Sequence, residues 1–139
     1  MSFLACWLGM TTLPRLRMKA KQPDPQTLLP LPVSEFQILL ALADEERHGY
    51  AIKREVAART NGDVQLGPGT LYGSIKRMVS RGLIAESDER PDPELDDERR
   101  RYYRITPLGR QVAVAEARRM ERLVGIARAK RLLGRPEPA

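Results

Sequence analysis

Between Gly67-Pro68 and Gly82 the chain carries a run with a single period and two firm ends. Proline is well placed in the first turn of a helix, where its missing amide costs nothing. Glycine just past the last turn is a common stop. Within those limits Leu71, Ile75, Met78 and Val79 recur at i, i+4, i+7 and i+8, one apolar stripe that has to be covered by a core. At about 100° per residue, the opposite side collects Thr70, Gly73, Lys76, Arg77 and Ser80, with Ser74 and Arg81 at its edge and Tyr72 on the other flank. That side offers cations, hydroxyls and a glycine, and holds no carboxylate.

The segments on either side supply candidates for the core. Ser34 reads as an N-cap, its hydroxyl free to accept from amides of the first turn, ahead of a helix whose Phe36, Leu39, Leu40 and Ala43 share a stripe. Residues 44–47 form a charged turn, and a second helix is expected from His48 to Arg59. In that helix Tyr50 or Ala51, Ile52, Val56 and Ala57 face inward, and Asn61-Gly62 stops it. Val64-Gln65-Leu66 reads as a short extended piece. Beyond Gly82, residues 83–89 and 99–106 read as strands around a turn at 90–98. On the second strand Tyr103 and Ile105 share one face, with Tyr102 and Arg104 on the other. One long helix then runs over 107–133 to Gly134 and Pro136.

Three helices followed by a two-stranded hairpin is the winged helix-turn-helix order, so the expected class is mainly α (α+β), with the long C-terminal helix as an addition. The expected division is an N-terminal extension over 1–27, disordered or lying ahead of the true start; a winged-helix domain over 28–106; the long helix over 107–133; and a tail over 134–139. Residues 3–10 faintly resemble the apolar part of a signal peptide, but no basic residue precedes them.

Several function classes are set aside by what the chain lacks. Cys6 and His48 are each alone, so neither a disulfide nor a zinc cluster is expected. Gly67-Pro68-Gly69 is not followed by the Lys-Ser/Thr pair of a phosphate-binding loop, and no catalytic dyad appears. The chain is therefore read as no enzyme and as needing no cofactor or metal. Apolar runs fall short of the roughly 18 residues that span a bilayer, so no membrane partner and a cytoplasmic location are expected. The formal net charge of +6 points to a polyanionic partner.

Double-stranded DNA fits that charge and the acid-free helix side together. A helix entering the major groove meets base edges with such residues, which makes Thr70, Tyr72, Gly73, Lys76, Arg77 and Ser80 the expected DNA-facing set. Arg99 and Arg101, on the returning strand, suit phosphate contacts. Eight carboxylates within residues 86–98 oppose them at the tip. On the last helix Leu108, Val112, Met120, Leu123, Val124 and Ala127 recur at helical spacings, and a three-helix core cannot cover so long a stripe. The simplest cover is a second copy related by two-fold symmetry. A competing reading keeps the fold but makes it a protein–protein interaction module, with the acidic wing as its docking surface.

Three segments together resemble PadR-type regulators: His48-Gly49-Tyr50-Ala51-Ile52; Gly69-Thr70-Leu71-Tyr72 continued by Ile75-Lys76-Arg77-Met78 and Gly82-Leu83-Ile84; and Arg101-Tyr102-Tyr103-Arg104-Ile105-Thr106-Pro107-Leu108-Gly109. The resemblance covers roughly residues 33–110. It implies a homodimeric winged-helix repressor whose third helix reads a pseudo-palindromic operator and whose final helix dimerises. By position it places Thr70, Tyr72 and Lys76 in the DNA-contacting segment, and it allows a small-molecule effector near the dimer interface. The chain departs from the family in having Gly73 where proline is common, in its acidic wing tip, and in lacking a tryptophan on the last helix, since Trp7 is the only one.

Overall fold

A computed structural model describes residues 22–87 and 101–134. The chain there begins earlier than Leu28: the Asp24 carboxylate accepts from the Gln26 amide at 3.0 Å and caps a 3-10 turn over Pro25–Leu28. Helix α1 spans Val33–Leu42, strand β1 Arg47–His48, and helix α2 Gly49–Arg59. Helix α3 spans Pro68–Ser80, strands β2 and β3 Ile84–Glu86 and Tyr102–Ile105, and helix α4 Pro107–Ala129.

The core is built where the helical stripes converge. Ile38, Leu39 and Leu42 of α1, Ile52 and Val56 of α2, and Leu71, Ile75 and Met78 of α3 are buried together with Leu83, Ile84, Tyr103, Leu108 and Val112. The stripe on α1 is rotated from the expected one: Ile38 is fully buried, whereas Leu40 reaches the surface. Ser34 does not cap the helix, which starts two residues earlier than expected, at Val33 behind Pro32; its hydroxyl instead lies 3.0 Å from that of Ser74 on α3. On α3 Val79 is largely exposed and Ser74 is buried in its place. Tyr50, on α2, also faces outward, its ring under the Arg54 guanidinium.

The sheet holds three strands in the order β1-β3-β2, both pairings antiparallel. Arg47 pairs with Tyr103, and Ile84 with Ile105. The extended piece expected at residues 64–66 is not one of the strands, although Leu66 is buried. The third strand lies before α2 instead. His48 ends β1, caps α2 by accepting from the Ala51 amide at 3.0 Å, and packs edge-on to the Tyr102 ring.

Two turns fix α4 to the rest. Gly82 has φ +78° and ends α3 as expected. Thr106 caps α4, accepting from the Gly109 amide at 3.0 Å while its hydroxyl donates to the carbonyls of Gly82 and Leu83. At the far end Arg131 adopts φ +61°, so the helix stops four residues short of the expected Leu133. Among the described residues no helix is long and apolar enough to cross a membrane.

Candidate nucleic-acid interface

The position of α3 follows from its two faces. Pro68 opens the helix, and Leu71, Ser74, Ile75 and Met78 lock it onto the core. Thr70, Lys76, Arg77, Ser80 and Arg81 are thereby turned to solvent. Gly73 and Tyr72 are half-buried on the flanks. Among the described residues Lys76 has no ion-pair partner, so its ammonium is available to an outside anion.

Arg77 is exposed but not free. Its Nη2 donates to Ser74 Oγ at 3.2 Å, and its Nε lies 3.5 Å from Oε2 of Glu35. Arg81 Nη1 donates to the other oxygen of the same carboxylate at 3.4 Å. Sequence reasoning missed Glu35, although a signal was present: Glu35, Ile38, Leu39 and Leu42 share the i, i+3, i+4, i+7 spacing of the core stripe. A carboxylate on an apolar stripe needs a cation from a neighbouring element.

On the returning strand Arg101 is held by Glu86, with Nε 3.6 Å from Oε1, and its neighbour Arg104 donates to the Glu86 carbonyl at 3.3 Å. Arg99 and the acidic tip over 88–98 lie outside the described residues.

The long helix divides into two halves. Leu108 and Val112 belong to the domain's own core, at 4% and 0% exposure, because the first turns of α4 pack against α1 and the 3-10 turn. They are therefore not part of an open stripe. Leu123, Val124 and Ile126 are exposed by 52%, 44% and 53%, with Met120 and Ala127 partly covered. At the boundary Glu116 is buried, its Oε2 accepting from the Leu31 amide at 2.7 Å and its Oε1 from the Arg119 guanidinium. The Arg119 hydrogen bond holds the Glu116 carboxyl below its ordinary pKa; burial pushes the other way, and the Leu31 amide adds to the lowering.

Residues 38–115, more than half of the chain, match the transcriptional regulator PadR-like family. The chain belongs to that family. Over 88 residues, 63% of this chain and 76% of the relative, it is 34% identical to the transcriptional regulator Rv3488 of Mycobacterium tuberculosis. The chain spans only 24% and 64% of the length of two uncharacterized relatives, from Streptomyces fradiae and Lysinibacillus sphaericus, to which it is 36% and 34% identical. Its fold is shared with a PadR family transcription regulator from Clostridium difficile, at TM-score 0.58 and 23% identity, over 74% of this chain and 100% of that one. Bacillus subtilis PadR in complex with operator DNA superposes at TM-score 0.52 and 18% identity, over 78% of this chain and 52% of that one.

Proposed function

We propose that this PadR-like chain is a sequence-specific DNA-binding repressor that acts as a homodimer on a pseudo-palindromic operator. The observation that carries the reading is the outer side of α3, where Thr70, Lys76 and Ser80 stand exposed on a helix that itself carries no carboxylate. Hydroxyls and cations on the exposed side of a groove-bound helix match base edges and phosphates alike. Two such helices, held by pairing of the exposed apolar half of α4, would sit about 34 Å apart on successive major grooves. A dimer seated on promoter DNA blocks polymerase by volume alone, which is the reason for proposing repression. An effector that changes the angle between the paired helices would alter that spacing and release the operator.

The test is fluorescence anisotropy of the full chain with its own upstream DNA and with scrambled DNA, at several salt concentrations. Binding on the order of 10³ tighter to its own DNA, with a steep salt slope, is the expected result. Equal, weak and salt-sensitive binding to both would overturn sequence-specific regulation.

A further inference from the structure

Glu35 sits in the first turn of α1 with its side chain 1% exposed, against the outer half of α3. Burying a carboxylate is costly unless a cation compensates it. Here the compensation is thin: Oε1 accepts from Arg81 at 3.4 Å, while Oε2 makes no hydrogen bond and has Arg77 Nε at 3.5 Å. The two guanidiniums are about half exposed and come from the same helix face as Lys76. Arg77 is held a second time through Ser74, whose hydroxyl lies 3.0 Å from that of Ser34 on α1. Its Nη1 points back over Gly73, 3.6 Å from where a Cβ would stand.

We propose that Glu35 sets the sequence selectivity of the α3 face by tethering Arg77 and Arg81. The inference rests on α3 being the DNA-facing helix. A free arginine pairs with any phosphate of any sequence, adding affinity without discrimination. The Arg77 guanidinium, with Nη2 donating to Ser74 and Nε facing Glu35, cannot turn that edge to a phosphate without leaving the buried Oε2 of Glu35 with no cation beside it. The tether therefore suppresses sequence-independent binding at the C-terminal half of α3 and leaves Lys76, Thr70 and the open edge of Arg77 to read the groove. Glu35 is a positioning residue in this scheme; it touches no DNA.

The experiment compares Glu35→Gln with the wild-type chain on its own upstream DNA and on scrambled DNA across a salt series. Releasing two arginines should raise affinity for scrambled DNA about tenfold, steepen the salt slope by about one to two, and cut the preference for its own DNA about tenfold. A folded Glu35→Gln with wild-type slope and preference overturns the proposal. If that variant does not fold, Arg81→Gln and Lys76→Gln replace it. A tethered Arg81 should change the slope by less than half of what Lys76 does, and equal losses overturn the tether. Wild-type protein that binds neither DNA overturns the DNA-facing reading of α3 itself, and the tether with it; wild-type binding with an unaltered Glu35→Gln overturns the tether alone.

Discussion

Gly49 and Tyr72 touch so closely that a Cβ on Gly49 would stand 2.8 Å from Tyr72 Cε1 and 2.9 Å from its hydroxyl oxygen. The first turn of α2 thus sets the pose of a side chain on the flank of α3. The atoms that would collide belong to the far end of a ring, which can pivot. Gly49→Ala should therefore cost little stability, about 1 kcal/mol of overpacking partly offset by the better helix propensity of alanine. Its effect should fall on DNA, with affinity for the operator reduced about fivefold, or about 1 kcal/mol. Anisotropy alongside a thermal melt checks this; unchanged affinity would mean that Tyr72 does not contact DNA.

Gly73 and Gly109 should behave oppositely when each is changed to alanine. At Gly73 a Cβ meets only Arg77 Nη1 at 3.6 Å, ordinary contact inside a helix. Gly73→Ala should raise stability by about 0.5–1 kcal/mol; on the proposed DNA-binding reading, the new methyl beside Arg77 should also weaken operator binding. At Gly109 a Cβ would lie 1.9 Å from the Leu83 carbonyl oxygen, and backbone cannot give way as a ring does. Gly109→Ala should cost more than about 3 kcal/mol and lose most of the folded protein. Melting temperatures of the two variants decide the matter.

Glu116 should make stability depend on acid. Its folded pKa lies below the unfolded value, about 4.3, so its contribution is complete above that value and disappears as pH falls through the folded pKa. Glu116→Ala also strands the buried Leu31 amide, at a cost of about 1–3 kcal/mol near neutrality. The gap in melting temperature between wild type and variant should be widest at pH 7 and narrow steadily below pH 4. A gap that stays constant to pH 3 would show that the carboxylate charge is not what holds the 3-10 turn to α4.

The two halves of α4 should separate folding from assembly. Leu123→Glu with Val124→Glu places charge on exposed positions, so the domain should melt within a few degrees of wild type while sedimentation shows a monomer. Val112→Ala, at a fully buried position, should cost about 2 kcal/mol and leave the association state unchanged. A double variant that still sediments with the wild type would move the dimer contact elsewhere.

Lys76→Ala removes an exposed cation. If Lys76 meets phosphate, the salt slope falls by about one for every sequence; if it reads a base, specific binding alone loses about 1–3 kcal/mol. Titration at two salt concentrations distinguishes these, and no change in either quantity would remove this side of α3 from the groove.

Most of the fold is local in origin, which is why the sequence alone determines it. Pro68 and Gly82 bound α3 by their own backbone preferences, and Leu71, Ile75 and Met78 name its buried side by spacing. The alternation of Tyr103 and Arg104 does the same for β3. Tertiary structure alone decided what covers each stripe. Leu108 and Val112 belong to the same run of helical spacings as Leu123 and Val124, yet the first pair is buried in the domain's core and the second meets solvent. Strand β1 is two residues long, too short to leave a period, and exists because β3 lies beside it. The contacts that tune the molecule join distant positions: Leu31 with Glu116, Gly49 with Tyr72, and Glu35 with Arg77 and Arg81. Periodicity records that a side is buried; it carries no record of the partner, because that partner is set by how whole elements pack.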